Sequence, residues 1–256
     1  MPEPLNLTAL VTGASSGIGR ACAVALAKAG ARLILAARRE ERLDSLSESL
    51  ADGGAEVLTL ELDVRSADAV ETAVRSLPEE WESIDVLVNN AGLSKALDPV
   101  YANSVADVDV MVDTNVKGLL YVTRAVVPGM VARGAGHIVN IGSTAGHEVY
   151  PGGTVYCATK HAVGAITRGL KMDLHGTGVR VSSVDPGLVE TEFSEVRFDG
   201  DRERAATVYR GMTPLTPEDV ADAVLYCIRR PAHVNISEII LMPTDQSSST
   251  MVHRDP

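Results

Sequence analysis

Cysteine is scarce: Cys22, Cys157 and Cys227 are the only three in 256 residues, and none forms a C-x-x-C pair. That scatter argues against a disulfide framework or a cysteine zinc site and fits a reducing, cytoplasmic compartment; no metal is expected. No apolar run reaches the roughly 18 residues of a membrane span, and the N-terminus has no basic segment leading into an apolar one. A membrane partner and a signal peptide are therefore not expected. Positive charge is also short, with 23 Lys+Arg against 34 Asp+Glu and a net charge of −11, which argues against nucleic acid as a partner. Repeats and low-complexity segments are missing too. What is present is an ordinary globular composition, 45% hydrophobic and 22% charged, in a chain long enough for one large α/β domain over 1–256.

Short apolar runs at 8–11, 32–36, 56–60, 86–88, 137–141, 180–184 and 238–242 read as buried parallel strands. Helical patterns separate them near 17–29, 40–51, 67–76, 104–133, 155–175 and 217–229. Seven strands with crossover helices predict a single Rossmann-type, doubly wound parallel sheet flanked by helices. Two stretches interrupt the alternation. Residues 186–214 form a long connection after the sixth strand, where ligands and lids are found in such sheets. The polar tail, 244–256, is compatible with disorder or with packing on a neighbouring subunit.

The first strand runs into Gly13, Ser15, Ser16, Gly17, Ile18 and Gly19 and then into an Ala-rich helix. Glycines permit a tight turn and close approach of backbone to a pyrophosphate, and the helix N-terminus supplies free N–H groups. The spacing is G-x-x-x-G-x-G, so strand–loop–helix context carries the reading. At the end of the second strand an NAD site would place an acid for the ribose 2′-hydroxyl. This chain has Arg38-Arg39 instead, suited to the 2′-phosphate of NADP(H). The competing reading makes both arginines solvated residues pairing with Glu40 or Glu41. Farther on, Tyr156 and Lys160 stand four apart on one helix face, where an ammonium would lower the phenol pKa toward the working range.

Together TGASSGIG, the Asn89-Asn90-Ala91-Gly92 run, Asn115, Ser143 and YCATK resemble the short-chain dehydrogenase/reductase family over essentially the whole chain. Segments such as MVDTNVKGL, GHIVNIGSTAG, DPGLVETEFSEVRF and PAHVNI resemble its NADP-dependent 3-hydroxy acid (serine) dehydrogenase branch, which oxidises small 3-hydroxy acids or reduces semialdehydes. The resemblance implies a catalytic set of Asn115, Ser143, Tyr156 and Lys160. Tyr156 would exchange the proton, Ser143 hold the substrate oxygen, Lys160 bind the nicotinamide ribose, and Asn115 hold a relay water. It also implies adenine contacts from Asp63 and Val64, further cofactor contacts from Asn90 and Gly92, and nicotinamide contacts from Pro186, Gly187, Val189 and Thr191. A homotetramer is implied through the helices at 104–133 and 155–175.

Substrate choice rests on fewer residues. Arg197 in the long loop suits a substrate carboxylate, or is a surface arginine. The chain departs from the branch at His147-Glu148, where an acid beside the pocket would favour a neutral aldehyde or ketone unless it points away or is paired. A third reading, a non-catalytic NADPH-binding regulator, has no need of the intact proton donor.

Overall fold

The computed structural model describes residues 3–255. Seven strands form one parallel sheet: β1 (Thr8–Thr12), β2 (Arg32–Ala37), β3 (Val57–Glu61), β4 (Val86–Asn89), β5 (Gly136–Ile141), β6 (Val179–Pro186) and β7 (Glu238–Leu241). Their spatial order is β3-β2-β1-β4-β5-β6-β7. The order reverses between β1 and β4, which opens a crevice beyond their carboxyl ends.

The central strands are apolar at almost every position because helices cover both faces of the sheet. Alternation within them decides which face each residue serves. Ala9, Val11, Leu33 and Leu35 pack under α1 (Gly17–Lys28), α2 (Glu40–Asp52) and α9 (Pro217–Ile228). Leu10, Ile34, Leu87 and Ile138 face the opposite layer, with α3 (Ala67–Arg75) and α5 (Leu119–Arg133). α9 begins where Thr216-Pro217-Glu218-Asp219 directs it, with a reciprocal Thr216–Asp219 capping box and Pro217 at the first turn.

The helix expected over 104–133 is not continuous. It comprises α4 (Val105–Val112), a π-helical turn (Asp113–Gly118) and α5. Close packing accompanies the break: a Cβ on Gly118 would come within 2.6 Å of Val64 Cγ2, and the Asn115 amide is drawn to the backbone of Leu93. Such single π turns are concentrated at functional sites.

The 186–214 connection contains two short helices, α7 (Phe193–Arg197) and α8 (Arg202–Thr207). The tail folds onto this connection in its own subunit. Gln246 Oε1 accepts from Leu188 N at 2.8 Å, Asp255 N donates to Gly211 O at 2.7 Å, and Arg254 donates to the carbonyls of Val208 and Arg210. Among the described residues, no helix is long and apolar enough to cross a membrane.

Candidate active site

A cleft of about 640 Å³ lies at the carboxyl ends of the strands. Its floor is the glycine loop between β1 and α1. Gly13 and Gly17 adopt φ of +66° and +51°, a region costly for any side chain, and a Cβ on Gly13 would meet Asn90 Nδ2 at 2.8 Å. Asn90 in turn fixes the loop by donating to Thr12 O at 2.9 Å. Gly19 does not line the cleft; a Cβ there would come within 2.4 Å of Asn90 Nδ2 and Gly13 O, so it serves close packing of helix on strand. Ser16, the residue before α1, makes no side-chain cap, which leaves the helix N-terminal N–H groups available to an anion. This backbone cradle fits a dinucleotide pyrophosphate.

The remaining expected cofactor residues converge on the same cleft. Ser15, Ser16, Ile18, Arg38, Arg39, Asp63, Val64, Asn90 and Gly92 line it at one end, and Pro186, Gly187, Val189 and Thr191 line it along the long connection. Arg39 does not pair with Glu40 or Glu41. Its guanidinium donates to Ser15 Oγ at 3.2 Å, Ser16 Oγ at 2.6 Å and Glu192 Oε2 at 3.0 Å. Asp63 is gripped by Arg65, and that hydrogen-bonded guanidinium holds its carboxyl below the usual range.

Tyr156 and Lys160 lie on α6 (Thr154–Asp173), buried and facing the cleft. Lys160 Nζ donates to Ile141 O at 2.9 Å, at the end of β5. Ser143, two residues on, caps a short turn through a 3.1 Å bond from Ala145 N and also lines the cleft. Asn115 lies behind this surface: its Oδ1 accepts from Leu93 N at 2.8 Å, and its Nδ2 donates to Leu93 O at 2.8 Å and Thr159 Oγ1 at 3.0 Å. It thereby ties the π turn to α6 and to the loop after β4. Gly92 brings the groups together, since a Cβ there would lie 3.3 Å from Asn115 Oδ1 and 3.8 Å from Lys160 Nζ.

One electrostatic expectation is reversed. Lys160 was expected to lower the Tyr156 pKa, but burial raises it, and the adjacent Tyr150 adds to the rise. The Arg197 charge and the nearby Ser143 hydroxyl act in the opposite direction without overcoming burial. Lys160 itself is pushed down to about 8 by burial, against a smaller opposing effect of Asp185. Its Nζ lies 5.9 Å from the Tyr156 ring centre, so both groups pay desolvation before they help each other.

At the substrate end, Arg197 is placed as a cleft residue rather than a free surface arginine. Its guanidinium carbon lies 5.4 Å from the Tyr156 ring centre and 5.0 Å from that of Phe193, and Nη2 donates to Tyr150 Oη at 3.3 Å. Its Nε is buried with no hydrogen-bond partner. His147 and Glu148, both expected near the substrate, lie off the lining. His147 Nε2 sits 2.6 Å from Asp185 Oδ2, and Glu148 Oε2 accepts from Ser249 N at 2.7 Å. Glu148 is thus hydrogen-bonded to the tail and lies off the cleft lining.

Sequence reasoning missed Tyr150, Phe193, Tyr209 and the tail residues Gln246, Ser249 and Thr250, all of which line the cleft. The aromatics had a weak signal, because Phe and Tyr number only two and six in this chain. The polar tail had none.

A family model described as short chain dehydrogenase matches residues 7–202. An NADP-dependent 3-hydroxy acid dehydrogenase of Salmonella typhi is 52% identical over 247 residues, covering 96% of this chain and 98% of its own. Sulfoacetaldehyde reductase 2 of Chromohalobacter salexigens is 49% identical over 248 residues, again covering 96% and 98%. A solved closed form of serine dehydrogenase complexed with NADP+ superposes with a TM-score of 0.91 at 49% identity, covering 97% of this chain and 100% of that one.

Proposed function

Since the chain belongs to the short-chain dehydrogenase family, we propose that it transfers hydride between NADP(H) and a small 3-hydroxy acid or its semialdehyde. The observation that carries the substrate class is Arg197, a guanidinium 5.4 Å from the Tyr156 ring with its Nε lacking a partner. A hydroxyl carbon placed at Tyr156 leaves a carboxylate two carbons away within reach of that cation.

NADP(H) supplies or accepts the hydride. The cleft residues govern the proton and the geometry. Tyr156 Oη gives its proton to the substrate oxygen in reduction and takes it back in oxidation, with Ser143 Oγ holding that oxygen in line. Burial keeps Tyr156 protonated at rest, so the resting side chain is set as a donor. Lys160, charged below about pH 8, binds the nicotinamide ribose hydroxyls and favours phenolate as the proton leaves. Asn115 acts through position, holding the backbone of Leu93 and the hydroxyl of Thr159 so that the relay path beside Lys160 keeps its shape. Arg38 and Arg39 would hold the 2′-phosphate, Asp63 and Val64 the adenine, and Pro186, Gly187, Val189 and Thr191 the nicotinamide; all of them line the cleft.

Arg197 also favours a second substrate, a small sulfonated aldehyde, because a guanidinium pairs with sulfonate as it does with carboxylate. The chemistry would be unchanged. The test of either anion is Arg197→Ala: KM for 3-hydroxy acids and sulfonated aldehydes should rise about tenfold or more, while a neutral alcohol of the same size changes little. An equal effect on charged and neutral substrates would remove the clamp and favour a neutral carbonyl.

Assembly as a homotetramer in the cytoplasm completes the reading. Val100 and Tyr101, in a short turn before α4, and Val105, at its start, are exposed apolar residues, Tyr101 at 89%, and such exposure suits a subunit interface. The three buried, unpaired cysteines suit a reducing compartment.

A further inference from the structure

Glu192 lies in the 186–214 connection and lines the same cleft. Both its oxygens are taken by cations at the start of α2. Oε2 accepts from Arg39 Nη1 at 3.0 Å, and Arg42 Nη1 lies 2.6 Å from Oε1 and 2.9 Å from Oε2. Burial alone would raise its pKa, but Arg42 and Arg39 together hold the carboxyl below its ordinary range, so it is an anion at neutral pH. Arg39 is simultaneously bonded to Ser15 and Ser16 of the glycine loop. Each guanidinium nitrogen therefore has one protein partner, while Nη1 and Nη2 each keep a second N–H.

A phosphate brought to this guanidinium competes with these acceptors for its position and its charge. The hydroxyls of Ser15 and Ser16 are neutral, and Glu192 is the one charged competitor. It is also a group that a phosphate dianion resembles in geometry and exceeds in charge. We propose that Glu192 determines the strength of 2′-phosphate recognition: its carboxylate holds Arg39 and Arg42, and NADP(H) binds by exchanging its 2′-phosphate for that carboxylate on Arg39. Arg42 retains Glu192 after the exchange, so the connection stays attached to α2 while Arg39 turns to the cofactor. Arg42 thereby becomes part of the cofactor-recognition region through Glu192.

The sign follows from charge. Removing an anion beside the phosphate site favours the phosphate and leaves NADH, which has a hydroxyl there, nearly unaffected. All three side chains are partly exposed, at 43%, 48% and 41% for Arg39, Arg42 and Glu192, so solvent screening keeps the effect modest.

The inference rests on the reading that Arg39 serves the 2′-phosphate, and one set of binding titrations separates the two. Kd values for NADPH and NADH, followed by cofactor fluorescence without substrate, are compared for wild type, Glu192→Gln, Glu192→Asp and Arg39→Gln. Glu192→Gln should tighten NADPH about three- to tenfold and leave NADH within about twofold, and Glu192→Asp, which keeps the charge, should return NADPH toward wild type. An unchanged NADPH Kd in Glu192→Gln overturns the proposal. So does equal weakening of both cofactors, which would make Glu192 a strap holding the connection closed. If Arg39→Gln leaves the NADPH-to-NADH ratio unchanged, the phosphate reading of Arg39 is what fails.

Discussion

Tyr156 and Lys160 differ from what their spacing alone suggests. A tyrosine and a lysine one turn apart predict a lowered tyrosine pKa, yet enclosure shifts each group toward its neutral form. If Tyr156 is the proton donor, Tyr156→Phe should cut kcat about 10²- to 10⁴-fold while the NADPH Kd is retained, measured by turnover and fluorescence titration on the same preparation. The four proposed catalytic residues could be picked out together because four residue types at family spacing constrain one another, and three of them, Ser143, Tyr156 and Lys160, line the cleft. Glu192 and Tyr150 were not, since their roles depend on partners 153 and 47 residues away, Arg39 and Arg197. Nor could the sequence reveal that Glu148 is paired with a tail amide 101 residues on.

Among the elements, all seven strands fall within two residues of their expected limits, because each is an apolar run bounded by turn residues in a sheet covered on both faces. The helix over 104–133 was read as unbroken because its apolar periodicity continues through the π turn. What accompanies the turn is tertiary: Gly118 against Val64, and Asn115 against Leu93 and Thr159. In the glycine loop, Gly13 and Gly17 line the cleft at positive φ, whereas Gly19 packs away from it. Gly13→Ala should weaken NADPH binding about tenfold or more, since the added methyl meets both a left-handed backbone and Asn90. Unchanged affinity in that variant, with normal melting, would mean that the loop does not cradle the cofactor.

For the molecule as a whole, stability carries a pH signature independent of activity. His137 on β5 is buried, bonded through Nε2 to Ser182 Oγ at 2.8 Å, with Nδ1 unpartnered. Burial, helped by the nearby Arg180 charge, depresses its pKa to about 3 from 6.5. Between those values the unfolded chain binds a proton that the folded chain refuses. Stability from this group is therefore intact above pH 6.5 and is lost as pH falls toward 3, with a limiting slope of about 1.4 kcal/mol per pH unit. Urea midpoints at pH 7 and pH 5 should differ accordingly, and His137→Gln should reduce the difference. The proposed homotetramer, which rests on the family resemblance, predicts a tetramer by sedimentation; a monomer at micromolar concentration would contradict that assembly.

The central claim is that Tyr156, Arg197 and the arginines after β2 together select an NADP-linked 3-hydroxy acid reaction. The most direct measurement is kcat/KM for serine, 3-hydroxypropionate, 3-hydroxyisobutyrate and a neutral alcohol of similar size, each with NADP+ and with NAD+. The account predicts turnover of at least one 3-hydroxy acid, with NADP+ preferred at least about tenfold and the neutral alcohol the poorer substrate. Equal use of NAD+, or better turnover of the neutral alcohol than of every acid, would contradict it.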